Sequence, residues 1–197
     1  MPNWCSNVLT LTHEDPAMLS RARKGFLAGK LLSEFLPCPP ELLDEGSTTH
    51  APGDAGQKYD DLRERLMEKY GYSSWYDWQV SNWGTKWDVG NEGSEEDDYP
   101  IEGDTITFHF DSAWSPPVAA MAAFEEEGFD VQLCYHEPGI GFCGYYSSQD
   151  GDEEFDLSGM SAEEVKEEIP DWLDDMFAIS ETMAEYESEQ EYEEDEE

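Results

Sequence analysis

An α+β fold follows from three features of the 197-residue chain: short runs of strand period, longer runs of helix period, and the order in which they alternate. Val8 to Thr12 alternates apolar and polar residues, as a half-buried strand does. Asp15-Pro16 then predicts a helix start, with Asp15 as N-cap, Pro16 in the first turn, Leu19, Ala22, Phe26 and Leu27 on the inner face, and Gly29 as the stop. Leu31 to Leu36 continues with Phe35 directed into an apolar cluster, and Pro37-Cys38-Pro39-Pro40 breaks any regular element. Asp44 to Gln57 reads as a mobile loop, and Asp60 to Lys69 as a helix with Leu62, Leu66 and Met67 at helical spacing. After Gly71 a Trp-rich segment (Trp75, Tyr76, Trp78) predicts a short helix that closes at Asn82-Trp83-Gly84-Thr85-Lys86-Trp87-Asp88.

A short strand is expected over Trp87 to Val89, then an acidic hairpin loop over Glu92 to Pro100, then a strand over Thr105 to Asp111 with Ile106, Phe108 and Phe110 on one face. Ser115 as N-cap and Pro116 in the first turn predict a helix whose buried face is Val118, Met121, Ala122 and Phe124, ending at Gly128. Phe129 to Tyr135 is the next strand, with Phe129, Val131, Leu133 and Tyr135 inward. The resulting order, strand, helix, strand, strand, helix, strand, is the βαββαβ of a ferredoxin-like plait, with a helical insertion at about 30–80. Residues 1–148 are assigned to it. A hairpin over Phe142 to Ser148 and Glu154 to Leu157 leads into an appendage at 149–184. There Ser161 and Glu164 form a capping-box pair, Pro170 interrupts the helix, and Trp172, Met176 and Ile179 continue at helical spacing. The stretch 185–197, acid-rich and without aliphatic residues, is expected to be disordered.

Charge restricts the partners. Against 48 Asp and Glu stand 10 Lys and Arg, a formal net charge of -38. Such a surface repels nucleic acid and anionic membranes and attracts basic proteins. Direct nucleic-acid binding is therefore not expected, and no apolar run has the length of a membrane span. Cys5, Cys38, Cys134 and Cys143 contain no CxxC pair, and the opening residues lack the basic and apolar regions of a secretory signal. The expectation is a cytoplasmic protein with reduced thiols.

Several uncommon strings occur together in one order: Met1-Pro2-Asn3-Trp4-Cys5-Ser6-Asn7, Asn82-Trp83-Gly84-Thr85-Lys86-Trp87-Asp88 and Ala113-Trp114-Ser115-Pro116-Pro117. Tyr135, Glu137 and Gly139 follow, then Phe142-Cys143-Gly144. In this the chain resembles the YubB ferredoxin-like family of phage and plasmid proteins over about residues 1–146. The resemblance implies the plait, a mobile-element origin and the cytoplasm of a host cell. It implies no activity, because the family is a domain of unassigned function.

Among the chemistry-bearing residues, Cys134 and His136 share a strand face, with Cys143 and Cys5 as further thiols, but the spacing matches no usual zinc pair. Neither a metal nor a cofactor is expected. His109 and Asp111 share another face, and His136 adjoins Glu137, yet no Ser, Cys or Thr sits in a recognisable nucleophile setting. Gly139-Ile140-Gly141 lacks the strand-turn-helix context of a phosphate loop. Trp83, Lys86, Trp87 and Trp114 form a candidate groove, weighed against a role as core.

The acidic C-terminal region supplies the functional expectation. Glu163, Glu164, Glu167, Glu168, Asp171, Asp174, Asp175, Glu181 and Glu185 are candidates to meet a basic host protein, such as a nuclease or another nucleic-acid-handling or defence protein. Spaced carboxylates can imitate phosphates, which fall about every 1.7 Å along duplex DNA counting both strands. The sequence thus predicts a non-enzymatic binding protein. The alternatives are a small enzyme or ligand-binding domain using the Trp-rich groove, and an acid-rich structural domain. Edge strands of plaits also pair, which leaves a homodimer open.

Overall fold

The computed structural model describes residues 3–45 and 54–195, with side-chain surroundings for 3–43 and 60–189. Five strands form one antiparallel sheet in the order β2-β1-β3-β4-β5. They are β1 (Trp4–Thr12), β2 (Thr105–Ala113), β3 (Asp130–Glu137), β4 (Phe142–Ser147) and β5 (Gly151–Asp156). β1 pairs with β2 from Trp4↔Ala113 to Thr12↔Thr105, and with β3 from Ser6↔His136 to Thr12↔Asp130. β2 and β3 therefore run parallel with β1 between them, the split β-α-β arrangement of ferredoxin-like folds.

Period-two alternation divides the sheet into two faces. Cys5, Leu9, Leu11, Ile106, Phe108, Val131, Leu133 and Tyr135 are buried in one core. Over that face lie α1 (Pro16–Leu27), α2 (Leu31–Phe35), α5 (Trp75–Trp83) and α6 (Met121–Glu126), with α3 (Pro40–Glu45) and α4 (Asp54–Tyr70) beside them. Phe26 stacks on Phe108 at 4.4 Å, and Phe35 packs against Phe124 at 4.5 Å. Each fully buried side chain of this kind contributes about 1.5–3 kcal/mol.

The reverse face carries a second core. Cys134, Cys143, Tyr145 and Phe155 of the sheet meet Leu157, Val165, Ile169, Leu173 and Ile179. These come from α7 (Ala162–Glu168), α8 (Asp171–Phe177), α9 (Ile179–Asp195) and their connections. The boundary expected at 148/149 thus falls inside the sheet, since β5 pairs with β4 from Phe142↔Asp156 to Ser147↔Gly151. Carboxylates line this outer strand: Asp152, Glu153 and Glu154 are exposed.

Local chemistry sets the helix ends. Asp15 Oδ1 accepts the Ala17 N–H at 2.9 Å and Pro16 opens α1, as the sequence predicts. At α7, Ser161 and Glu164 close a complete capping box. α5 ends at Trp83 because Gly84 takes φ +89°, a left-handed C-cap. The same glycine lets the chain touch Pro116, whose carbonyl oxygen would lie 2.8 Å from a Cβ placed there.

The structure departs from expectation at several elements. No strand forms over Trp87 to Val89, because Asp88 turns its carboxylate to the N-terminus of α2, accepting Leu32 N–H at 2.7 Å and Ser33 N–H at 3.1 Å. The acidic stretch at 92–100 is accordingly no hairpin loop but a link from α5 to β2 with a 3-10 turn at Glu96–Asp98. Ser115 does not cap α6; its Oγ donates to Gly84 O at 2.5 Å, and a 3-10 turn at Val118–Ala120 precedes the helix. Ala120 is buried in place of the exposed Ala122. Met67 is exposed while Leu66 is buried.

The loop expected over Asp44 to Gln57 is shorter than that span, since α3 reaches Glu45 and α4 begins at Asp54; residues 46–53 lie outside the described residues. Trp172 and Met176 are exposed and Leu173 is buried, because Ala178 at φ +51° ends α8 and shifts the helical phase before Ile179. α9 continues to Asp195, through most of the stretch expected to be disordered.

Gly84→Ala should lower unfolding free energy by about 2 kcal/mol or more, from left-handed strain plus the clash with Pro116. Gly93→Ala, at φ +96° with open space around it, should cost about 1 kcal/mol. Urea denaturation of both variants measures the difference, and equal losses would deny the Gly84–Pro116 contact its role.

Candidate functional site

One end of the sheet gathers stretches far apart in sequence. Thr85 Oγ1 donates to Ala113 O at 3.0 Å, Ser112 Oγ to Ser115 O at 2.8 Å, and Trp114 N to Asn3 O at 3.0 Å. Asn7 is buried and donates through Nδ2 to Cys5 O at 2.6 Å and Ser112 Oγ at 2.8 Å. Glu137, also buried, receives the N–H groups of Gly139 at 2.9 Å and Ile140 at 2.6 Å, which folds the β3–β4 turn against Asn3. Nearly all of these bonds satisfy backbone carbonyls or N–H groups, so the corner is held rigidly. Burial pushes the Asp88 carboxyl up from its ordinary range, and hydrogen bonds from Ser33, Leu32 and Val89 oppose the shift.

Trp83 belongs to the core: it is 2% exposed and its Nε1–H donates to Leu36 O at 2.9 Å. The four residues nominated from sequence therefore share no groove. Lys86, Trp87 and Trp114 reach the surface instead, and Trp4 and Tyr76, not singled out from sequence as site residues, join them. Trp4, Trp87 and Trp114 are 49%, 41% and 44% exposed. The Trp4 and Trp87 ring centroids are 6.1 Å apart, and Lys86 Nζ sits 4.7 Å from the Trp87 ring and 5.7 Å from the Tyr76 ring. Trp114 is held at φ +73°, a conformation that costs a non-glycine residue about 1–2 kcal/mol. The signal for Trp4 was its place just ahead of the β1 alternation, where a strand end projects.

The thiols do not converge. Cys134, His136 and Cys143 lie on the reverse face of the sheet, with His136 opposite Cys143 in register, whereas Cys5 faces the other core. Burial pushes Cys134 up to about 11 and Cys5 and Cys143 up to about 12, so all three are protonated near neutral pH. Among the described residues no group of three His, Cys, Asp or Glu is arranged to hold a metal ion. His136 packs against the Phe177 ring at 5.9 Å, and burial lowers its pKa against the opposing charge of Glu137. His109 and Asp111 are exposed on β2, where Asp111 accepts the Ser6 hydroxyl at 2.9 Å.

The nominated acids divide by role. Glu164 completes the α7 cap, accepting Ser161 N–H at 2.8 Å. Asp174 is buried and accepts Ser180 N–H at 2.7 Å and Ser180 Oγ–H at 2.5 Å, which fastens α8 to α9. Glu163, Asp171, Asp175 and Glu181 surround a depression of about 650 Å³ between α7, α8 and α9, with Lys166 at its rim. Glu167, Glu168 and Glu185 are exposed outside that lining. A further depression of about 720 Å³, more apolar, runs from Ile140 and His136 to Met183 and Tyr186 on α9. Among the described residues no helix is long and apolar enough to cross a membrane.

Residues 82–171 match the sequence model of a family described as the ferredoxin-like domain in Api92-like protein. The match begins at the corner, includes β2 to β5, and ends at the first residue of α8. The chain is also similar to the crystal structure of a protein api92 from Yersinia pseudotuberculosis, at 13% identity over 81% of this chain and 99% of that one, with a TM-score of 0.40. No curated protein matches it. The fold is ferredoxin-like, of α+β composition around an antiparallel sheet.

His136 makes stability depend on acidity with a definite sign. Its folded pKa lies below the unfolded value near 6.5, so the unfolded state takes up the proton first as pH falls. The stability it supports above about pH 6.5 is lost progressively as pH falls toward the folded pKa. Urea midpoints at about pH 7.5 and about pH 5.5 should therefore differ less for His136→Gln than for the wild type. An identical difference in both proteins would remove His136 from the pH response.

Proposed function

We propose that the chain is a non-enzymatic binding protein that captures a basic protein on its acidic helical face. The observation that carries this reading is the convergence of Glu163, Asp171, Asp175 and Glu181 from three helices around one depression, with Lys166 as the base in its lining. The chain's net charge of -38 extends the same field over the surface. A surface of one sign speeds encounter with an oppositely charged partner and suppresses the rest.

The resemblance to the YubB family of phage and plasmid proteins suggests the host cytoplasm as the setting, and the net charge of -38 suggests a basic target there, such as a nuclease or another nucleic-acid-handling or defence protein. Imitation of nucleic acid by rows of carboxylates is the form of capture proposed. Carboxylates four residues apart on a helix lie about 6 Å apart along its axis, and α7 to α9 present such rows on adjoining helices, as in Glu163 and Glu167, Asp171 and Asp175, and Glu181 and Glu185.

A combined Glu163→Gln, Asp171→Asn, Asp175→Asn and Glu181→Gln variant tests the reading. Basic proteins retained from host lysate by the wild type at low salt should be released at high salt, since exposed charges are screened beyond about 10 Å at 0.1 M ionic strength. The variant should bind the strongest of them about tenfold more weakly or worse, with its melting temperature unchanged. Capture that ignores both salt and the four substitutions would sink the proposal.

A further inference from the structure

We infer that the exposed indoles of Trp4, Trp87 and Trp114 form a second contact surface of the same binding protein, one that receives arginine side chains of the basic partner. This rests on the basic-partner reading for the partner's charge, but on a different surface for the contact.

Four observations carry it. Trp4, Trp87 and Trp114 all come from the corner, and each leaves over two-fifths of its surface in solvent, where a chain of this size would ordinarily bury such rings. The corner is preorganised by its hydrogen bonds, and Trp114 is held there at φ +73°. Backbone strain of this kind persists where surrounding structure fixes the residue, and it recurs at ligand clamps.

A cation already occupies part of the surface. Lys86 Nζ lies over Trp87 at 4.7 Å and over Tyr76 at 5.7 Å, and makes no ion pair among the described residues. In a protein with 48 carboxylates to choose from, this ammonium rests on rings. The indole faces here therefore attract positive charge, as the aromatic quadrupole requires.

The long-range field selects what arrives. At net charge -38 nucleic acid is repelled and a second copy of the chain is opposed, while a basic protein is drawn in. Of its cations, arginine fits better than lysine. The guanidinium is planar, weakly hydrated and stacks flat on an indole, whereas an ammonium keeps its water. Trp4 and Trp114 have no cation over them among the described residues, so they are the faces such groups would cover. The surface also continues through the β3–β4 turn, whose Gly139 lies against Asn3, to Ile140 and Tyr186 and thus to α9.

The test uses the full chain, nitrogen-15 labelled, with indole resonances assigned by single Trp→Phe substitutions. The probes are two peptides of equal length and charge, one alternating Arg and Ser, the other Lys and Ser. The Arg peptide should shift the indole signals of Trp4, Trp87 and Trp114, leave that of the buried Trp83 in place, and bind about fivefold more tightly than the Lys peptide. A combined Trp4→Ala and Trp114→Ala variant should erase most of that preference. If both peptides bind equally and shift only Trp172, on α8 beside the acidic depression, the aromatic inference is overturned and the acidic face stands alone. If neither peptide binds, both readings fall. If the three indole signals move on protein dilution with no peptide present, the patch belongs to a second copy and the inference is wrong.

Discussion

The hydrogen bonding of β1 along both of its edges is the constraint on which the rest of the molecule depends. Nine residues from Trp4 to Thr12 pair with β2 on one side, and seven of the nine pair with β3 on the other. Because β1 is an interior strand, its alternation separates two faces: Leu9 and Leu11 point to the larger core, and the opposite face continues into the smaller through β3 and β4. A slip of one residue would reverse every side chain and exchange the two environments. The position of β1 also decides where the first residues of the strand end up, beside Ala113 and the β3–β4 turn.

That placement explains why the corner is held by side-chain to backbone bonds. Strand ends, a helix end and a turn meet there, and each leaves carbonyls or N–H groups without partners in regular structure. Thr85, Ser112, Ser115, Asn7 and Glu137 take them up one at a time. Asn7, Thr85, Ser115 and Glu137 all lie in the uncommon strings of the sequence, and their bonds here serve the fold.

What could be read from sequence was what is decided locally. Asp15 with Pro16, and Ser161 with Glu164, act within one helical turn, so their roles were visible in the string of letters. The alternation of β1, β2 and β3 was equally legible. The misreadings share another cause. Asp88 and Ser115 looked like a strand residue and a helix cap, but each spends its side chain on a segment distant in sequence, Asp88 on α2 and Ser115 on Gly84. Ala178 adopts a left-handed angle without the glycine that would announce it, which hid the phase shift between α8 and α9. Among the candidate residues, Glu163, Asp171, Asp175 and Glu181 come together around one depression, while Glu167, Glu168 and Glu185 lie outside its lining. Asp174 could not be told apart from its neighbours by composition, because only burial and its bonds to Ser180 distinguish it from a free carboxylate.

The two outer strands of the sheet are unlike, and this limits how copies of the chain could associate. β5 presents Asp152, Glu153 and Glu154 along its exposed length, so a second β5 approaching it would meet like charge at three successive residues. β2 presents threonines, a histidine and few charges. Continuous addition of strands needs two receptive borders, one on each side. A sheet with a single receptive border can join once, about a twofold axis, after which only carboxylate-lined borders remain. The acidity of β5 therefore acts as a stop against fibre growth, capping any association through the sheet at a pair.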